Sequence, residues 1–380
     1  MDIKQLRERI DKTDEQLVSL FCERMKISGE IAEWKAQEGM AVTDKKRERE
    51  LLTRVSELAG EEMELDVRTL YNLIMSLSRS YQHRKMDGTS KLYEKITKAL
   101  ETTNKLFPER AVIACQGTEG AYSQQACEKL FSAPDILFFR SFDAVFSAVD
   151  KGLCKYGILP LENSTAGSVN RIYDLMIQYR FSIVRSTRLH INHALMAKKP
   201  VELDKIREIV SHDQALSQCS VFLEGLKNVK LTSFENTAAA AEYVANSNRD
   251  DLAVLCSDSC AELYQLTVIH RNCQNVDNNY TRFICISKDL EIYPGAERTS
   301  LMMVIPHKPG SLYKVMSRFY ALGINLIKLE SRPIPGRDFE FMFYFDIDSS
   351  VYSPKLAQLL CQMEAETEEF EYLGSYTEVV

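Results

Sequence analysis

The sequence has no CxxC pair among its ten cysteines. That removes the usual signatures of a structural zinc site and of a dithiol redox centre. Most of the cysteines sit in apolar runs, such as Cys285 in RFICIS and Cys256 in LAVLCSD, where a buried, reduced thiol is expected. No apolar stretch is long enough to span a bilayer. The N-terminal MDIKQLRERIDKTDEQ lacks the apolar core of a signal peptide, so a cytoplasmic chain is expected, with no membrane partner. There is no net positive charge: the balance is −7. The total therefore predicts no nucleic-acid partner, and any anion site must be built locally. Tandem repeats and low-complexity tracts are absent too. Of the six histidines, His190 and His193 form an HxxH. No carboxylate or cysteine completes it at a ligand spacing, so a structural role on a strand is expected and no metal or other cofactor is called for.

What is present is three regions of different periodicity in 380 residues, a length that suits two or three domains. Residues 1–88 read as helical, 89–109 as a linker, 110–290 as alternating strands and helices, and 299–380 as a short strand-rich module. The linker opens on the breaker Asp87-Gly88, contains a modest helix and ends near Pro108. Tyr293-Pro294-Gly295-Ala296 marks the second boundary.

In the helical region a seam runs through Ile3, Leu6, Ile10, Thr13, Leu17, Leu20, Arg24, Ile27, Ile31 and Trp34, spaced alternately three and four apart. That is one long amphipathic helix whose stripe needs a cover, and a second subunit is the natural one. Arg24 breaks the pattern. A guanidinium in an apolar seam needs an anion, either an internal carboxylate or a ligand. Lys35 follows eleven residues later, about three turns on, and shares the face. Arg7 lies seventeen residues before Arg24, roughly 100° round the helix, and suits a partner's pocket better than its own. A second helix follows, with Asp44 as N-cap and Arg47 and Glu48 in its first turn. A third carries Ser78 and Gln82 on one face.

LRERIDKTDEQLVSLFCERMKI, WKAQ, TDKKRERELL and SLSRSYQ together resemble the all-helical chorismate mutase family. The resemblance implies a dimer whose site contains Arg7 from the other subunit with Arg24, Lys35, Asp44, Arg47, Glu48, Ser78 and Gln82. It also implies a pericyclic rearrangement of a dicarboxylate. That step needs no nucleophile or metal, only a clamp on the carboxylates and donors to the breaking ether oxygen. The implied roles are arginines for the carboxylates, Lys35 and Gln82 for the ether oxygen, and Glu48 for the ring hydroxyl.

In the middle region AVIACQG, ILFFRS, YGILPLEN, REIVSH and LAVLCSD read as buried strands separated by helices, which predicts parallel sheets with ligands beyond the strands' carboxyl ends. Polar clusters stand at those ends: GTEGAYS, ENSTAGS, SHDQALSQCS and NNYTRF. Each alone reads as a turn or cap. As an ordered set they resemble the prephenate dehydratases, with Thr118 in place of a common proline. The resemblance implies a two-lobed, periplasmic-binding-protein-like α/β fold and loss of carbon dioxide and water from prephenate to give phenylpyruvate. Thr281 is the implied contact to the leaving hydroxyl, and Arg282 a carboxylate or structural anchor. Glu162, Asn163, Thr165, Ser211 and Gln218 are the further cleft candidates. Thr281 and Glu162 both remain open as the proton source.

The last module reads βαββαβ. Its PGSLYKV and ESRP resemble the ACT domain, which implies a phenylalanine site made by Gly310, Ser311, Leu312, Glu330, Ser331 and Arg332. A small dimerisation domain is the plainer reading. The whole predicts a homodimeric or homotetrameric bifunctional enzyme of phenylalanine biosynthesis, taking chorismate and prephenate and inhibited by phenylalanine. A sensor that binds aromatic metabolites without turnover is the competing reading.

Overall fold

Ser28, Gly29 and Ala32 are the buried residues of the first helix, and their small size sets how closely it lies on the second. A Cβ added at Gly29 would come within 2.9 Å of the Tyr81 ring. The computed structural model describes residues 2–86, 91–334, 336–337 and 340–380; the expected breaker at Asp87-Gly88 lies outside them. Helix α1 is Ile3–Gln37, about 50 Å long at 1.5 Å per residue. Helix α2 is Lys45–Met86, and Gly60 inside it has φ 72°, so the expected second and third helices are one run broken at that glycine. Asp44 caps it: its carboxylate accepts from the amides of Lys46 and Arg47, both at 3.0 Å. The seam residues Ile3, Leu6, Ile10, Leu17, Leu20, Ile27, Ile31 and Trp34 are all exposed on this chain. Helix α3 is Lys91–Thr102.

The chain continues as β1 (Val112–Gln116), α4 (Tyr122–Leu130), β2 (Asp135–Phe139), α5 (Phe142–Asp150), β3 (Tyr156–Asn163), β4 (Gly167–Ser168), α6 (Asn170–Tyr179) and β5 (Ser182–His190). There follow β6 (Ala194–Ala197), β7 (Glu208–Ser211), α7 (Asp213–Gln218), α8 (Ser220–Glu224), β8 (Lys230–Ser233), α9 (Thr237–Asn246), β9 (Leu252–Cys256), α10 (Ser259–Leu263), β10 (Thr267–His270) and β11 (Tyr280–Ser287). The last part is β12 (Arg298–Val304), α11 (Ser311–Ala321), β13 (Asn325–Pro333), β14 (Phe341–Asp348), α12 (Pro354–Glu366), β15 (Glu369–Tyr376) and β16 (Glu378–Val379).

One sheet has the order β16-β5-β11-β3-β1-β2, with β4 on β3; the second runs β10-β6-β9-β7-β8. Parallel sheets were expected, but both are mixed. The chain leaves the first sheet after β5 and re-enters it as β11, which lies between β3 and β5 and runs antiparallel to both. In the second sheet β6 is antiparallel to β9 and β10 to β6. The third sheet, β13-β14-β12-β15, completes the expected strand–helix–strand–strand–helix–strand order.

Two compact units emerge: residues 1–97 with 354–369, and residues 98–353 with 370–380. Within the larger unit the third sheet shares a core with the first. Met302, Val304, Met342, Tyr344 and Tyr376 cluster with Ile172, Tyr173 and Ile183, and Tyr173 meets Tyr344 edge-on with ring centres 4.9 Å apart. β16, which was not foreseen, pairs parallel to β5. None of the described helices is long and apolar enough to cross a membrane.

Candidate active sites

The charge in the seam of α1 opens onto a cavity of about 390 Å³ in the helical unit. Arg24, Lys35, Asp44, Arg47, Glu48, Ser78 and Gln82 all line it. Arg7 does not; it is exposed elsewhere on α1, as its angle on the helix predicted. Arg24 is half-buried and donates to the Ser78 hydroxyl at 2.5 Å. Burial pulls its pKa down, so the charge is held at a cost that an anionic ligand would offset. Lys35 donates to the Val42 carbonyl at 2.5 Å, which fixes the ammonium at the cavity wall. The two backbone bonds from the cap, that of Arg47 first, hold the Asp44 pKa below its usual value. Glu48 is paired with Arg79, a further cation of the cavity that pattern reasoning did not single out. Gln82 is buried and its amide nitrogen donates to Ser28 at 3.0 Å, while its amide oxygen has no partner among the described residues. Ser28 can serve either end of that amide, so the group is free to turn its NH₂ into the cavity.

The second cavity, about 450 Å³, lies between the two α/β sheets of the larger unit. The start of α4 supplies Ala121, Tyr122 and Ser123; the start of α9 supplies Asn236 and Thr237; β3 and β11 supply Asn163 and Thr281. Asn163 is the hub. Its amide nitrogen donates to Asn279 Oδ1 at 2.8 Å and to Thr281 Oγ1 at 2.9 Å. Its oxygen accepts from the Thr165 and Ala166 amides at 3.0 and 2.9 Å and from the Thr165 hydroxyl at 2.7 Å. Because Thr281 accepts from Asn163, its own hydroxyl hydrogen is left to point at a ligand. Gln218 lines the cavity and donates to Thr165 at 3.0 Å. Thr165 itself stands behind it, in an adjoining amide-rich cavity of about 330 Å³ with Asn275 and Asn279.

Glu162 and Ser211 need correction as cleft residues, and of the two roles open to Arg282 the carboxylate contact falls away and the structural one stands. Glu162 and Arg282 are register partners on β3 and β11, each next in sequence to a cleft residue, and alternation along a strand sends them to the opposite face. There Arg282 binds Glu162 at 3.0 Å, Asp346 and the Tyr376 hydroxyl, and Lys328 binds Glu162 at 2.5 Å. Neither lines the cleft, so Glu162 is not placed as a proton source and Arg282 is a structural anchor. Ser211 is fully buried at the end of β7, where its hydroxyl donates to the Leu255 carbonyl at 2.6 Å. It ties two strands and does not face the cleft.

His193 was expected to be structural, yet it lines the cleft. Burial lowers its pKa, partly offset by Gln218. Asn279 donates to Gln218 Oε1 at 3.2 Å, which orients that oxygen towards His193 Nε2, also at 3.2 Å. In the neutral imidazole this geometry puts the proton on Nε2, and buried Nδ1 has no partner among the described residues. Tyr122 was within a flagged cluster but not singled out; its hydroxyl donates to the Asn192 carbonyl at 2.5 Å.

In the third sheet Gly310 has φ 78° at the start of α11, with Ser311 and Leu312 next. Glu330 accepts from Ser168 at 2.6 Å, and Arg332 donates to the two Asp174 oxygens from Nε and Nη2 at 3.1 and 3.2 Å. These two side chains are thus engaged inside the chain, whereas Ser331, between them, points the other way and is exposed.

The chain carries two chemically distinct cavities, one lined largely by charged side chains, with Arg24, Lys35, Arg47 and Arg79 among them, and one lined largely by amides, hydroxyls and apolar groups. Residues 6–83 match the family model for chorismate mutase type II, and residues 113–291 that for prephenate dehydratase. The bifunctional chorismate mutase/prephenate dehydratase of Enterobacter agglomerans is 31% identical, with 98% of this chain and 95% of that protein covered. That of Escherichia coli K12 is also 31% identical, with the same coverage. A prephenate dehydratase from Arthrobacter aurescens, solved in complex with L-Phe, has 26% identity and a TM-score of 0.64, covering 70% of this chain and 89% of that one. The chain belongs to the bifunctional chorismate mutase/prephenate dehydratase family. It converts chorismate to prephenate and prephenate to phenylpyruvate, two steps of phenylalanine biosynthesis.

Proposed function

We propose that the two reactions run at two separate sites: the rearrangement in the helical cavity and the elimination in the cleft. In the helical cavity Arg24 and Arg47, joined by Arg7 of a second subunit, clamp the two carboxylates of chorismate in the compact conformer. Lys35, with the Gln82 amide turned inward, stabilises charge growing on the ether oxygen, and Glu48 takes the ring hydroxyl. The exposed apolar seam of α1 supports a dimer. In the cleft Thr281 donates to the departing hydroxyl of prephenate, held for that task by Asn163. The observation that carries this assignment is the Asn163–Thr281 hydrogen bond, which leaves the threonine able to donate. Electrons from the breaking carbon–carboxylate bond complete the aromatic ring and expel the hydroxyl, which takes a proton and leaves as water.

The domain reading is 1–88 for the mutase, 110–290 for the dehydratase and 299–380 for an ACT regulatory module that binds phenylalanine in a cytoplasmic homodimer or homotetramer. Its effector contacts are Gly310, Ser311, Leu312 and Ser331, while Glu330 and Arg332 tie the module to α6 and β4. The L-Phe complex of the Arthrobacter relative supports this reading.

Coupled assays test the two-site assignment. Thr281→Ala should abolish phenylpyruvate formation with chorismate consumption intact, and Arg24→Ala should do the reverse when prephenate is supplied. A folded single mutant that lost both activities would refute separate sites.

A further inference from the structure

The dehydratase cleft has to accept a dianion, yet none of the residues lining it is a lysine or arginine. Its only carboxylate among the described residues, Glu235, is exposed. Two helices of nine and ten residues, α4 and α9, begin at its wall. At the start of α9 the Asn236 side chain accepts from the Ala239 amide at 2.7 Å and its carbonyl from Ala240 at 3.2 Å. The amides of Thr237 and Ala238 have no acceptor among the described residues. At the start of α4 the Ala121 carbonyl takes the amides of Gln124 and Gln125, which leaves those of Tyr122 and Ser123 in the same position. A second observation lies in the same lining: His193, only 3% exposed, has a buried Nδ1 with no partner among the described residues.

We propose that prephenate is anchored in this cleft without a cationic side chain, its pyruvyl carboxylate held by the free amides at the start of α9. The proposal rests on the cleft being the dehydratase site. The α4 terminus faces the same cavity and adds to the positive potential. Chemistry decides between the two carboxylates. The ring carboxylate surrenders its charge to the ring as it leaves as carbon dioxide, so a fixed cation on it would stabilise the ground state more than the transition state. The pyruvyl carboxylate keeps its charge from substrate to product, and a firm hold on it costs the reaction nothing. Phe142, Pro160 and Val169 give the cavity an apolar wall against which the ring carboxylate can lie poorly solvated, which favours its loss.

The test is Thr237→Pro in the full chain. Thr237 is the first helical residue of α9, and Asn236 before it is extended at φ −158°, ψ 167°. Proline is therefore accommodated there, and the change removes one amide donor. Thr237→Ala, assayed beside it, measures the side chain's share. The expected result is a rise in KM for prephenate roughly tenfold beyond that of the alanine variant, about what loss of a hydrogen bond to a charged group brings. Inhibition by phenylpyruvate, which retains the same carboxylate, should weaken by the same factor. Equal effects of proline and alanine would overturn the proposal, as would a fall in kcat with phenylpyruvate binding unchanged. Should the proline variant fail to fold by circular dichroism, Thr237→Asp decides. Its added carboxylate suits a helix start but repels the ligand, so an unchanged KM there would overturn the proposal equally.

Discussion

Replacing Asn163 by aspartate should separate the architecture of the dehydratase cleft from its chemistry. One oxygen of the asparagine accepts from two backbone amides and the Thr165 hydroxyl, while its nitrogen donates to Asn279 and Thr281. An aspartate keeps the first set and reverses the second: its other oxygen now accepts, and the Thr281 hydroxyl turns to donate to it. The turn after β3 is then held as before, but the hydrogen destined for the leaving hydroxyl is spent. Losing one well-placed donor to a developing charge costs about 3–4 kcal/mol of transition-state stabilisation, or roughly 10²–10³ in kcat. Asn163→Ala instead removes the acceptor that the part-buried Thr165 and Ala166 amide bonds share, at about 0.5–1.5 kcal/mol of stability for each hydrogen bond lost. Aspartate is therefore expected to melt higher than alanine and yet to be as inactive on prephenate, measured by phenylpyruvate formation and by thermal denaturation. An Asn163→Asp enzyme with nearly unchanged kcat would refute the donor role of Thr281.

The remaining predictions concern assembly, regulation and acid stability. Arg7→Ala and Arg24→Ala chains, each defective in the mutase reaction, should recover part of it when mixed and allowed to exchange subunits, because one of the two hybrid sites is intact; no recovery would place Arg7 outside its neighbour's site. Saturating phenylalanine should lower the dehydratase rate by biasing the chain towards a less active state, and an unchanged rate would remove the effector reading. Glu208 is pushed down from 4.5 to about 2 by the Thr232 hydroxyl first and by Arg249 and Lys230. A carboxylate with a depressed folded pKa contributes stability that is complete above the unfolded value and is lost as pH falls through the folded one. Glu208→Gln should accordingly flatten the acid-unfolding curve between about pH 4.5 and 2, with little change at neutral pH.

The helical site was legible because a helix has a fixed angular period. The seam, the anomaly at Arg24, the alignment of Lys35 and the divergence of Arg7 all follow from 100° per residue, and the cavity is lined as that geometry requires. The break in α2 was legible as two helices, though not as one run interrupted at Gly60. The cleft was harder. Strand alternation would have shown that Glu162 cannot share a face with Asn163, nor Arg282 with Thr281, but a motif read as a block hides that two-residue period. Ser211 looked like its neighbours in a polar cluster, and only the third dimension reveals that its hydroxyl closes on Leu255. His193 carried a weak signal, its place just after β5 where the chain crosses to the second sheet. The antiparallel entry of β11 left none, since strand direction depends on a partner about a hundred residues away in sequence.

The ring of charge behind the cleft has a consequence for how this sequence can drift. Glu162, Arg282, Lys328 and Asp346 come from four strands in two sheets, and the first two are covalent neighbours of Asn163 and Thr281, which line the cleft. A change of sign at any one leaves a buried charge unanswered and tilts a strand whose other face lines the cleft. These four positions are therefore expected to be inherited as a set. A graft that borrowed the C-terminal module from a distant relative would have to bring the Lys328 and Asp346 positions in matching register, or activity would fail before regulation could be measured.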